Sequence, residues 1–98
     1  MNAGRNWRKN MQSFQPAVRN PLLRIEAART ATGDSRGGFY AKVVAGLMVK
    51  PLKIGARAAA VPAYEIEAIN AARIAGLPDS SIRALVQRLH AERVQVGA

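Results

Sequence analysis

Side chains that perform catalytic or metal chemistry are scarce in this sequence. The chain has no cysteine and one histidine, His90, which excludes a thiolate centre and a two-histidine zinc site. Ser80 and Ser81 follow Pro78 and Asp79, where a helix is expected to begin, so we interpret them as helix caps rather than nucleophiles. Paired catalytic carboxylates and a glycine-rich phosphate loop are also missing. The sequence therefore predicts a protein that is not an enzyme and has no catalytic residue, metal or cofactor.

The chemistry that remains is the binding of anions. The chain carries 15 lysines and arginines against 6 acids, which gives a net charge of +9. The whole surplus lies in residues 1–57, because bases and acids balance in residues 58–98. A one-sided basic surplus on a small protein indicates a polyanionic partner, most often nucleic acid. The alternative is a solvated surface with a basic tail.

Length and hydropathy limit the architecture to one small domain. With 98 residues, 49% of them apolar and 5% aromatic, the chain is expected to build one thin core. The longest apolar runs, such as Val43–Val49, are far shorter than the roughly 20 residues that span a membrane. No signal peptide is recognisable either. We therefore expect a cytoplasmic protein that contacts neither a membrane nor a small-molecule ligand.

The first half of the chain is predicted to form an arm and two short helices. Residues 1–20 are polar and basic without a sustained period, which is typical of a flexible arm. One helix is expected over residues 26–32, and another from Asp34 or Ser35 to about residue 45, with a glycine ending each. This is the spacing of a helix-turn-helix. The predicted buried side of the second helix consists of Phe39, Val43 and Val44.

The second half is predicted to form a β-hairpin and two further helices. Residues 52–54 and 58–61 flank Gly55-Ala56-Arg57, a composition typical of a hairpin turn. Pro62 suits the first position of a third helix, which Gly76 ends. The apolar side of the third helix is expected to contain Ile66, Ile69 and Ile74. The fourth helix shows the most regular helical spacing, with an apolar stripe of Ile82, Leu85, Val86 and Leu89.

This order of elements predicts a mainly α fold with a small β-hairpin wing, a winged helix-turn-helix with an additional C-terminal helix. In such a unit the second helix enters the major groove of DNA, and the wing reaches the flanking backbone or minor groove. We expect an arm over residues 1–20, a DNA-binding domain over 21–75, and the C-terminal helix within 76–98. The stripe on that helix either covers the core or joins two copies of the chain on DNA, and we favour self-association.

From Leu22 to about Arg73 the sequence resembles the AlpA-like phage regulators and excisionases, whose fold is related to the MerR-type winged helix. Residues 32–36, Thr-Gly-Asp-Ser-Arg, are similar to the family's T-G-L-S-R. The segment Lys50–Ala58 reads KPLKIGARA and is similar to the family's K-P-x-K-L-G-x-R-A. The resemblance implies a protein that binds and bends attachment-site DNA and directs an integrase toward excision of a mobile element.

The candidate DNA-binding residues lie on the second helix and on the wing. They are Ser35, Arg36, Gly37, Tyr40 and Lys42 on the helix, and Lys50, Lys53 and Arg57 on the wing. Arginine bonds guanine with two hydrogen bonds, whereas lysine and tyrosine more often hold phosphates. Arg57 stands at the tip of the hairpin, where it is expected to contact DNA. His90 is expected to be an ordinary surface histidine.

With an enzyme set aside, two classes of function remain, binding of DNA and binding of RNA. We predict a sequence-specific protein that binds double-stranded DNA, with a site-specific integrase as its functional partner and a place on the bacterial nucleoid. Within this class, excisionase is favoured because one small domain offers no effector-binding module. The alternative is an AlpA-type transcriptional regulator of integrase or mobile-element genes. An RNA- or ribosome-binding protein would be expected to carry exposed aromatics on its sheet, which this sequence does not provide.

Overall fold

The structure is a computed structural model that describes residues 20–96. The predicted arm, except for Asn20, lies outside the described residues. Those residues form four helices and three strands, so the prediction of a mainly helical fold with a small sheet is confirmed. In chain order the elements are β1 (Leu22–Arg24), α1 (Ile25–Thr32), α2 (Arg36–Val44), β2 (Leu52–Gly55), β3 (Ala58–Pro62), α3 (Ala63–Ile74) and α4 (Asp79–Val96).

The predicted hairpin is extended by a third strand. The sheet is antiparallel with the order β1-β3-β2, and Leu23 of β1 lies opposite Val61 of β3. On the other side of β3, Lys53 of β2 lies opposite Ala59. The sequence did not predict β1, because three residues are too few to show an alternating pattern. This strand exists through its pairing with β3, which is a long-range contact.

Three of the helices end at the glycines that the sequence analysis predicted as helix ends. Gly33, Gly46 and Gly76 follow α1, α2 and α3, and all three have a positive φ. After α2, the amide of Gly46 donates to the carbonyl of Val43, and the amide of Leu47 donates to that of Lys42. These bonds satisfy carbonyls that the end of a helix leaves open. Each glycine therefore ends its helix and turns the chain toward the next element.

The core lies between the sheet and the helices. Its largest fully buried side chains include Phe39 of α2, Met48, and Ile66 and Ile69 of α3. The prediction of a core position is wrong for two residues, because Val44 is 90% exposed and Ile74 is 87% exposed. Each follows a buried residue, Phe39 or Ile69, by five positions, which turns it about 140° around the helix. Ala72 takes the place on α3 that was assigned to Ile74.

Helix α4 belongs to the same core. Ile82, Val86 and Leu89 are buried against it, and Leu85 packs at its edge as a half-buried side chain. The sequence analysis left two roles open for this stripe, covering the core or joining two copies of the chain. Three of its four residues cover the core. The favoured alternative of self-association is corrected for these three, since they would have to leave their own core to meet a second copy.

Polar contacts fasten α4 both to α3 and to Lys50, two residues before β2. Arg93 donates from Nε and Nη2 to the carboxylate of Glu65, at 2.9 and 2.7 Å. Its Nη2 also donates to the backbone carbonyl of Lys50 at 2.8 Å. The amide of Lys50 donates to Nε2 of His90 at 3.0 Å. The backbone of Lys50 is therefore held on both sides by α4.

Within residues 20–96, no helix is both long enough and apolar enough to cross a membrane. Helix α4 is the longest of them, and charged residues recur along it. Ser80 and Ser81 lie inside its first turn rather than at the capping position, and the amide of Ser81 donates to the carbonyl of Pro78.

Candidate nucleic-acid interface

Helix α2 is positioned by the turn that precedes it. Ser35, rather than Asp34, is its N-cap: Ser35 Oγ accepts a hydrogen bond from the amide of Gly38 at 2.9 Å. The cap satisfies one amide of the first turn and fixes where the helix begins. Phe39 then points into the core while Tyr40 points outward, with the two rings edge to face and 5.9 Å apart. The opposite face of α2 is thereby presented to solvent.

Three elements bring basic side chains to one surface cleft of about 220 Å³. Arg36 and Tyr40 come from α2, Arg57 from the turn between β2 and β3, and Arg24 from the end of β1. Glu26 of α1 also lines this cleft, which we call the wing cleft. Three of the candidate DNA-binding residues are therefore neighbours in space, although as many as 21 positions separate them in the sequence.

Arg36 is oriented by two neighbours while most of its side chain stays exposed. Its Nη1 lies 3.5 Å from Oε2 of Glu26, and its guanidinium carbon lies 6.0 Å from the centre of the Tyr40 ring. Glu26 is itself held by Arg29, whose Nη2 donates to Oε1 at 2.7 Å. This hydrogen bond is the main reason that the pKa of Glu26 lies below its usual value. The ionised carboxylate therefore favours one orientation of Arg36.

Lys42 does not line the wing cleft. Its Nζ donates to Oδ1 of Asp34 at 2.6 Å, and the hydroxyl of Thr32 donates to the other carboxylate oxygen at 2.8 Å. Burial of Asp34 opposes its ionisation, but the hydrogen bonds from Lys42 and Thr32 outweigh that effect and lower its pKa. Lys42 thus closes the turn between α1 and α2, and contact with DNA at this position stays a prediction.

The wing residues divide between two places. Lys50 lines a second cleft of about 300 Å³, together with Val44 at the end of α2 and Arg83 and His90 of α4. We call this the α4 cleft. Lys53 is exposed on β2 and lines neither cleft. Helix α2 therefore lies between one basic cleft near its first turn and another near its last.

Several residues of this surface were missed from the sequence. Arg24 and Glu26 line the wing cleft because β1 pairs with β3, and no local pattern indicates that pairing. Arg83 reaches the α4 cleft from residues 58–98, the part of the chain in which bases and acids balance. Its Nε donates to the carbonyl of Ala45 at 3.0 Å. His90 is half-buried and accepts a hydrogen bond, so the expectation of an ordinary surface histidine was wrong.

Comparison with known proteins adds no relative: no family model, curated protein or solved structure matches this chain. In the part of the chain that the structure describes, no three histidine, cysteine or acidic side chains lie together as they would around a metal ion. The interpretation of the surface therefore depends on its own geometry and charge.

Proposed function

We propose that this protein binds double-stranded DNA in a sequence-specific manner through a winged helix-turn-helix. In this assignment α1 and α2 form the helix-turn-helix, α2 enters the major groove, and the β2–β3 hairpin is the wing. The observation that carries the proposal is the meeting of Arg24, Arg36 and Arg57 in the wing cleft. This cleft brings together arginines from α2, from the hairpin turn and from β1, and such a basic surface is suited to binding a phosphate backbone.

The arginines lie at different places in the fold, so we assign them different roles. Arg36 stands in the first turn of α2, and the N-terminal residues of a recognition helix are the ones that reach base edges. Arg57 stands at the turn of the hairpin, where a wing meets the flanking backbone. Among the described residues, Arg24 and Arg57 form no ion pair, so their charge is not neutralised within this part of the chain.

We further propose that the protein acts as an excisionase, a recombination directionality factor. The support is the resemblance of residues 32–36 and 50–58 to AlpA-like proteins, since these segments form the turn before α2 and the wing. Its partners would then be attachment-site DNA and a site-specific integrase on the bacterial nucleoid. Several copies would load along one site, and Leu85 is the stripe residue left to contact a neighbour.

A binding assay tests the DNA assignment. The full chain is titrated against a labelled duplex and a labelled hairpin RNA of equal charge, each at several salt concentrations. If about five basic residues neutralise phosphates, log K falls against log salt with a slope of about −4 to −5 for the duplex. Tighter binding of the hairpin, or a duplex slope shallower than about −2, would reject the proposal.

An excision assay tests the finer assignment. Cells carrying an integrase and its integrated element are supplied with this protein, and loss of the element is scored. Excision that depends on the protein supports the excisionase role. Transcription of the integrase gene without any effect on excision by a preformed integrase supports the AlpA-type regulator instead.

A further inference from the structure

The outward face of α2 carries an apolar stripe beside Arg36 and Tyr40. Val44 is 90% exposed although it is a branched aliphatic residue. Gly37 and Ala41 are exposed as well, and they precede Val44 by seven and three positions. These spacings place the three residues on one side of the helix. We call them the α2 stripe.

Gly37 has no explanation within the described chain. Its φ is not in the left-handed region, and a Cβ atom built at this position meets nothing within 4 Å. A glycine inside a helix costs about 1 kcal/mol relative to alanine. Gly38 differs, because a Cβ there would lie 3.0 Å from Ser35 Oγ, the atom that caps the helix. A side chain at position 37 would project into solvent. Its absence leaves the backbone of α2 accessible to the close approach of a partner.

The charge around the α2 stripe indicates the chemistry of that partner. The wing cleft brings Arg24 and Arg57 to one end of the helix, and the α4 cleft brings Lys50 and Arg83 to the other. An apolar strip that has one basic cleft beside its first turn and ends at the rim of another is complementary to a surface with negative charge at its edges and an apolar group between them. The major groove of DNA is such a surface: phosphates border it, and the C5-methyl group of thymine projects into it.

We propose that Val44 and Ala41 contact thymine methyl groups in the major groove, and that Gly37 lets α2 lie close to the base edges. This proposal rests on the DNA-binding function proposed above. Arg36 and Val44 are eight positions apart, which is about 12 Å along the helix. With about 3.4 Å between base pairs, the recognised thymine lies within about four base pairs of the guanine bound by Arg36.

Uracil substitution tests the contact one methyl group at a time. The full chain first selects duplexes from a randomised library, and each thymine of the selected site is then replaced singly by uracil. At one or two positions we expect the wild-type protein to lose affinity by about fourfold, the value of one buried methyl group. The Val44→Ala variant should bind the thymine duplex about fourfold more weakly than the wild type. Its affinity should not change when the same thymine is replaced by uracil.

A matched control comes from the far end of α4. Val94 is 80% exposed and lines neither cleft, so Val94→Ala should keep both the affinity and the response to uracil. Circular dichroism should show that Val44→Ala and Val94→Ala are folded alike, since neither side chain belongs to the core. Gly37→Leu should also fold, yet lose the selected duplex.

The outcomes separate this inference from the function on which it rests. Failure to enrich any duplex rejects DNA recognition itself, and the stripe contact with it. An enriched site without thymine, or one at which every uracil duplex binds as well as its parent, overturns the methyl contact alone. Equal sensitivity of Val44→Ala and the wild type to uracil also overturns it. A change in oligomeric state of Val44→Ala without DNA would assign the stripe to a second copy of the chain.

Discussion

At the level of single residues, Arg36 and Arg57 share the wing cleft but are held differently. Glu26 and Tyr40 orient Arg36, whereas Arg57 has no ion pair with a described residue. A guanidinium with neighbours on a helix face is suited to two hydrogen bonds with guanine, and one without an ion pair is available to a phosphate. The two arginines should therefore contribute to binding in different ways.

Replacing each arginine separates the two roles. Arg36→Ala should lose discrimination at one base position, at a cost of about 1–3 kcal/mol on the preferred site. Arg57→Ala should weaken binding to all sequences alike and reduce the salt slope by about one. Both are measured by titration of selected and random duplexes. Uniform weakening by Arg36→Ala would make it a phosphate contact, and a site-specific loss with Arg57→Ala would place the wing in the minor groove.

His90 gives the domain a predictable pH dependence. Burial, and then the nearby positive charge of Arg93, lower its pKa below the ordinary 6.5, although Glu65 acts in the opposite direction. A neutral imidazole can accept the hydrogen bond from the amide of Lys50, whereas a protonated one cannot. Because the unfolded chain takes up the proton first as the pH falls, the stabilisation is complete above about 6.5 and decreases below it.

Thermal unfolding checks this dependence. The melting temperature of the wild type should fall between pH 8 and pH 5.5, a range that lies above the ordinary pKa values of aspartate and glutamate. His90→Gln keeps a group that can accept the hydrogen bond but does not titrate. Its melting temperature should therefore vary less over the same range. Equal slopes for the two proteins would show that His90 is not the titrating group.

At the level of the elements, the helix ends were predictable and the helix faces only partly. Ser35 and the glycines after α1, α2 and α3 act through neighbours in the sequence, so local composition identifies them. The faces depend on what packs against them. Val44 and Ile74 were assigned to the core because they are apolar, but each lies about 140° from a buried neighbour on its helix. Strand β1 was missed for the related reason that its partner is remote in the sequence.

The same limit applied to the candidate site. Arg36, Tyr40 and Arg57 were recognised by residue type and by position in a motif, and the structure brings them together. Glu26 and Arg24 join them only because α1 and β1 pack beside α2 and the wing. Lys42 was expected on the outer surface, yet Asp34 holds it. Sequence identified residues that could bind an anion, and packing decided which of them share a surface.

The cap of α2 can be tested apart from the proposed contact of this helix with DNA. Ser35→Ala removes the acceptor for the amide of Gly38 and should cost about 1 kcal/mol of folding stability. Ser35→Asp restores a good cap and should keep that stability. It also places a negative charge at the start of α2, the proposed recognition helix, so it should bind DNA more weakly than the wild type. Urea unfolding and duplex titration of both variants measure the two effects; equal DNA affinity for Ser35→Asp would place position 35 away from the phosphates.

At the level of the whole molecule, α4 completes the domain rather than extending it. Ile82, Val86 and Leu89 belong to the same core as Phe39 and Ile66. The boundary expected near residue 75 therefore divides one core between two fragments. A chain that ends at residue 75 should lack a cooperative thermal transition, while a chain of residues 20–96 should retain one. A cooperative melt of the shorter chain would show that α4 is dispensable for folding.

Arg93 provides the sharpest test of how α4 stabilises the domain, because it holds a carboxylate that no solvent reaches. Glu65 is fully buried, and Arg93 donates to both of its oxygens. Arg93→Ala leaves that charge without its partner and should cost about 3–5 kcal/mol of folding free energy. Arg88→Ala is the matched control on the same helix, since its pair with Glu92 is exposed and should be worth less than about 1 kcal/mol. Urea unfolding measures both losses.

A double variant separates the buried charge from the packing. Replacing Glu65 and Arg93 together by leucine removes the charge as well as its partner, so a large part of the stability lost in Arg93→Ala should return. Arg93 also donates to the carbonyl of Lys50, and that bond is lost in both variants. If the double variant were as unstable as Arg93→Ala, the bond to Lys50, and with it the attachment of the wing to α4, would be the larger contribution. In that case both variants should also bind duplex DNA more weakly than the wild type. The reason is that a wing detached from α4 would no longer hold Arg57 beside Arg36.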